Sequence, residues 1–154
     1  MRRLALICLL AGLTLPAAAA AAPGDGTLAV RNASGDAGQL CVALTINGAA
    51  IGQVDRGRVT VLPGIGPEPD VTGADKQIDR ADGSTVYVGS NIRFRAVGSL
   101  RVRISGNGID INAVGQGSVR LVGAGSLTNS GKFSLNGGAW TALPNSGATF
   151  TIGA

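Results

Sequence analysis

The chain of 154 residues contains no histidine. Its absence excludes histidine-dependent nucleophilic triads, histidine metal sites and the commonest general base near neutral pH. Aromatic residues are scarce, with one Trp, one Tyr and three Phe, which leaves little surface for stacking nucleic-acid bases and argues against nucleic acid as a partner. Cysteine is limited to Cys8 and Cys41. No apolar run is long enough to span a bilayer as a helix, because Leu4 to Leu15 falls short of the roughly 18 residues required.

What is present begins with an export pattern. Arg2 and Arg3 form a positive end, Leu4 to Leu15 an apolar stretch, and Ala17 to Ala22 a small-residue cleavage zone, the three parts of a secretory signal peptide. Cleavage is expected after Ala20 or Ala21, so that residues 1–21 are removed and residues 22–154 remain as one domain without a transmembrane segment. Cys8 lies near the beginning of the apolar stretch, the wrong place for a lipidated cysteine. Losing Arg2 and Arg3 lowers the formal charge from +4 to +2, too weak a field to indicate nucleic acid or a membrane surface. Cys41 then stands alone, so the domain contains no intrachain disulfide even in a compartment that permits one. The expected location is secreted or in the cell envelope, and about 130 residues suffice for one apolar core.

From Gly26 onward, short alternations of apolar and polar residues are punctuated by glycine, of which the chain has 25. This period-two pattern predicts an all-β domain of nine to eleven short strands. A small glycine-rich antiparallel β-sandwich or barrel fits, with a short β-solenoid as the alternative. The solenoid reading comes from branched-residue strands ending in Gly-x-Gly, at Arg58–Gly66, Leu100–Gly108 and Val119–Gly125, the last two nineteen positions apart. Asn47-Gly48 reads as a hairpin turn, and Phe133-Ser-Leu-Asn-Gly-Gly-Ala-Trp140 as another. Residues 63–84 read as a long acidic Gly/Pro-rich loop, carrying Glu68, Asp70, Asp75, Asp79 and Asp82 against Lys76 and Arg80.

The candidate binding residues are arginines. Ile92-Arg-Phe-Arg-Ala96 and Leu100-Arg-Val-Arg-Ile104 flank Val97-Gly98-Ser99, and read as a hairpin pairing Ala96 with Leu100. That register opposes Arg95 to Arg101 and Arg93 to Arg103 on one outer face, with Arg120 extending the patch. Like charges directly opposed on a sheet repel, so something must neutralise this ladder. Either the acidic segment 68–82 folds over it, or an anionic ligand does, since guanidinium forks suit carboxylates and phosphates. Outside the cell the corresponding partner is an anionic cell-wall polymer or glycan.

Other residues carry weaker signals. Cys41 lies in an apolar strand with no histidine partner, where a thiol is normally an inert small hydrophobe, and whether it is buried is left to the fold. Asp79 and Asp82 offer the carboxylates of a polymer hydrolase, the enzymatic alternative, although a loop is a poor holder for them. Asp79–Gly83 and Gly106–Asp110 resemble calcium turns faintly, but turn chemistry accounts for both. No cofactor and no metal are indicated. Trp140 is expected to be a partly buried core anchor rather than a sugar-stacking platform.

Arg93–Gly98, Gly108–Gly117, Phe133–Trp140 and Ala148–Gly153 together resemble short uncharacterised secreted glycine-rich β proteins of actinobacterial, high-GC type. The resemblance covers roughly the C-terminal half. It implies an exported β fold and brings no activity, ligand or catalytic residue. The expectation is therefore a non-catalytic, envelope-associated binding or structural module, with a carboxylate-dependent hydrolase or a protein self-associating through a sheet edge as alternatives.

Overall fold

The computed structural model describes residues 22–33, 38–125 and 131–153. The expected signal peptide, residues 1–21, lies outside the described residues. Over the described residues the protein is all-β, with one antiparallel sheet of eight strands that does not close into a barrel. The strands are β1 (Gly26–Arg31), β2 (Gly38–Val61), β3 (Asp70–Thr72), β4 (Lys76–Asp79), β5 (Thr85–Gly125), β6 (Lys132–Leu135), β7 (Thr141–Ala142) and β8 (Ala148–Ile152).

Two of these are far longer than a typical strand of five or six residues: β2 has 24 residues and β5 has 41. They lie antiparallel, and most β2 residues are flanked by β5 on both sides. Val42 pairs with Leu121 on one side and Ile104 on the other; Val59 pairs with Ile104 and Tyr87. Wherever a β2 residue has two β5 partners, they are seventeen positions apart. β2 and β5 thus form a two-stranded ribbon wound upon itself, each turn hydrogen-bonded to the next.

Tracing the pairings around one turn separates two layers. One has the order β3–β5–β2–β5–β1–β6–β7, hereafter the first layer. The second has the order β4–β5–β2–β5–β2–β5–β8. Their inner faces enclose one apolar core. Val30, Ile92, Ile109 and Ile111 enter it from the first layer, and Leu40, Val42, Ile104, Val119 and Leu121 from the second. At about 1.5–3 kcal/mol for each buried aliphatic side chain, this core is the main source of stability where the described residues hold one cysteine, Cys41, and no disulfide. Complementary sizes fit it together: a Cβ on Gly52 would strike the Phe94 ring, so the glycine leaves the space that the phenyl group fills.

The ribbon crosses between layers at glycines. Gly48 pairs with both Gly98 and Gly115, and Gly115 also pairs with Gly26; Gly57 pairs with Gly89 and Gly106 in a second column. Backbones approach too closely there for side chains, since a Cβ at Gly48 would fall on the Val114 carbonyl oxygen. Gly98 and Gly115 also have φ of 103° and 143°, where other residues are strained.

Three sequence readings change. Asn47-Gly48 is not a hairpin turn: the strand runs through it, and Asn47 lacks the positive φ that a tight turn needs. The copies read as nineteen apart repeat every seventeen, because glycine corners set the period and not the first branched residue of each strand; Val102 corresponds to Val119 and Ala96 to Ala113. The connection 63–84 is partly ordered into β3 and β4, which occupy along β5 the position that β2 has vacated. The turn after Leu135 is present, with Asn136 and Gly137 at φ of 51° and 71°.

Candidate functional site

Period-two alternation places each arginine outside, and winding decides on which side. Residues 92–104 form no hairpin. Ala96 pairs with Ala50 and Ala113 faces the same alanine, while Leu100 pairs with Ile46. A single strand passes over the Gly98 corner. Arg93 and Arg95 consequently stand on the outer face of the first layer, Arg101 and Arg103 on that of the second, and the expected four-arginine ladder does not exist. Hairpin and corner are both written with a glycine between alternating strands, and only the long-range partners distinguish them.

The first-layer arginines have acidic neighbours. β3 places Asp70 opposite Arg95. Along the adjoining row, Arg93, Gln53, Asp110, Arg31 and Lys132 follow one another across the strands, and Arg31 Nε lies 3.3 Å from Asp110 Oδ2. Trp140 belongs to this face. It is 43% exposed, and the Arg31 and Lys132 cations each lie 5.3 Å from its ring centroid. This corrects the expectation of a core anchor: cation–π contacts hold the indole on the surface.

On the outer face of the second layer, Thr60 pairs with Arg103, Ala43 lies between Arg103 and Arg120, and Ser105 lies between Arg58 and Cys41. Arg103 and Arg120 are thus two strand spacings apart, about 10 Å, with only a methyl group between them. The turn from β4 to β5 brings Arg80 and Asp82 alongside, completing a groove of about 520 Å³ whose walls include Arg58, Arg80, Arg103 and Arg120. Of the arginines expected from sequence, Arg103 and Arg120 line this groove; Arg101 faces the same side nearer the Pro63–Pro69 connection. Arg58 and Arg80 escaped sequence reading. Arg58 precedes an alternating Val59–Val61 segment that marks it as outward-facing, but nothing local to it indicates Arg103 as a neighbour.

No carboxylate of the described residues lies within salt-bridge distance of Arg58, Arg80, Arg103 or Arg120. Asp82, the acid in the groove, is engaged by its own turn: its Oδ1 accepts hydrogen bonds from the Ser84 hydroxyl at 2.6 Å and the Ser84 amide at 2.9 Å. These bonds, the hydroxyl first, with help from the Arg80 charge, hold the Asp82 carboxyl below its ordinary value of 3.8. The direction is opposite to that required of a general acid in glycoside hydrolysis. Asp79 accepts from Thr85 Oγ1 at 2.9 Å, and Asp75 Oδ2 accepts from the Ser90 amide. Three acids of the segment, Asp75, Asp79 and Asp82, thus each have one oxygen engaged by backbone or hydroxyl groups of β5 and its turn, and of the segment's acids Asp82 alone lines the groove.

Cys41 is free and exposed and lines the same groove. Its place is set by alternation: the apolar neighbours Leu40 and Val42 point inward, which leaves Cys41 outward. Gly147 comes close to Arg120, so that a Cβ there would press on the guanidinium. Among the described residues no group of three or more acids or cysteines is placed to hold a metal ion, and no helix is long and apolar enough to cross a membrane. No protein-family model matches the chain, and no curated protein or solved structure matches it either.

Proposed function

We propose that the protein is an exported, non-catalytic binding module of the secreted or envelope compartment, and that it holds an anionic polymer or glycan in the second-layer groove. The observation carrying this reading is the imbalance of the groove, where Arg58, Arg80, Arg103 and Arg120 accompany one acid, Asp82, whose oxygen is committed to Ser84. Guanidinium forks arranged along a groove offer parallel N–H pairs to oxyanions, and attraction between exposed charges weakens with salt. Arg101 adds charge to the same face, whereas Arg93 and Arg95 belong to the other.

The test is retention of the protein on isolated cell-wall fractions across a salt series. A variant with Arg58, Arg103 and Arg120 changed to Glu is compared with one carrying Arg93→Glu and Arg95→Glu, both checked for folding. Salt-sensitive retention lost in the first variant and kept in the second supports the groove. Equal loss in both, or no salt-sensitive retention of the natural protein, overturns it.

A further inference from the structure

We infer that the group bound in this groove is a tetrahedral oxyanion, a phosphate or sulfate ester, and not a carboxylate; the inference rests on the groove being an anion site. The first argument is the ratio of donors to acceptors. Each guanidinium presents five N–H donors in a fixed plane, and four such groups line the groove. A carboxylate has two oxygens whose acceptor sites all lie near one plane, so every fork it accepts must approach in or near that plane. A terminal phosphate or sulfate ester has three oxygens directed away from a common centre, so it accepts forks from several directions at once, as strands on either side of Ala43 supply them.

The second argument is charge. Four guanidinium groups and the Asp82 carboxylate leave a threefold positive excess, which one carboxylate per sugar neutralises poorly; a phosphate monoester brings nearly two charges, and a sugar bearing several sulfate esters matches the excess by number. The floor supports the same occupant. Ala43 is small enough to let an anion descend between Arg103 and Arg120, and the hydroxyl groups of Thr60 and Ser105 provide further short donors on that face.

Cys41 reports occupancy without disturbing the arginines. On the full chain carrying Cys8→Ser, the rate at which iodoacetamide alkylates Cys41 is measured against increasing tripolyphosphate, dextran sulfate, citrate and polygalacturonate at constant ionic strength. The expected result is protection by tripolyphosphate, dextran sulfate or both at concentrations roughly tenfold lower than citrate or polygalacturonate require. The better of the two tells a phosphorylated source from a sulfated one. Equal protection by the carboxylate probes overturns the tetrahedral preference and leaves the anion site standing. No protection by any of the four, together with no retention on cell-wall material, overturns both.

Discussion

Arg95 and Arg103 belong to the same strand, yet one faces an aspartate across a strand pair and the other a groove short of acids. Cys41, which lines the same groove as Arg103, senses that difference. A thiolate in a positive field reacts faster with an anionic reagent than with a neutral one; alkylation of Cys41 by iodoacetate, normalised to iodoacetamide, is therefore expected to exceed that of a free thiol and to fall as salt rises. Unchanged ratios in the Arg58, Arg103, Arg120 charge-reversed variant would show that the arginines create no such field. Tyr87, the one tyrosine of the chain, reports separately on burial and on the acidic segment. Burial raises its phenol above the ordinary 10.0, with the Glu68 and Asp79 charges adding to the effect. A folded value above the unfolded one means that this contribution to stability is complete below pH 10 and is lost as pH rises through the folded value. Ultraviolet titration of the native protein is expected to show phenolate forming later than in the denatured chain. Coincident titrations would place Tyr87 in water.

At the level of elements, corners and turns carry the consequences. Gly48→Ala inserts a methyl group against the Val114 carbonyl and is expected to destabilise by about 1–3 kcal/mol, measured by denaturant unfolding. A neutral effect would mean that the corner is looser than its packing implies. The β4–β5 turn depends on an ionised Asp82. Because its folded value is depressed, its contribution is present above the unfolded value and disappears as pH falls through the folded one. Asp82→Asn should therefore lower stability at neutral pH and flatten the acid limb of a stability–pH profile; a profile identical to that of the natural protein contradicts this role. The inward and outward faces of these elements were legible in the sequence, since alternation alone sorts Val102 and Ile104 from Arg101 and Arg103. Hairpin against corner was not, because Val97-Gly98-Ser99 satisfies both local descriptions.

For the molecule as a whole, winding ties every turn to the one before it. Inserting one alanine after Gly108 shifts the following β5 segment by one residue against β2, turning its apolar set outward. Loss of cooperative unfolding is expected for this insertion, whereas one after Gly64, in the connection outside the ribbon, should fold; equal tolerance of both would contradict a register locked by winding. Pairings such as Val42 with Leu121 and Ile104 are distant in sequence, so the ends of long loops must meet before the contacts stabilise anything. Folding in the millisecond-to-second range typical of all-β domains is expected, and stopped-flow refolding measures it. The sequence by itself determined the all-β class, the glycine punctuation, the faces of each strand and the chemistry that a chain without histidine lacks, because these follow from residue type and period-two alternation. Only the tertiary structure decided that Arg93 and Arg95 part from Arg101 and Arg103, that Arg58 and Arg80 join Arg103 and Arg120, and that Cys41, outward by the same alternation, stands in their groove. The physical reason is that cross-strand neighbours are chosen by closing the ribbon on itself, a cooperative event whose seventeen-residue turn no short stretch of chain specifies.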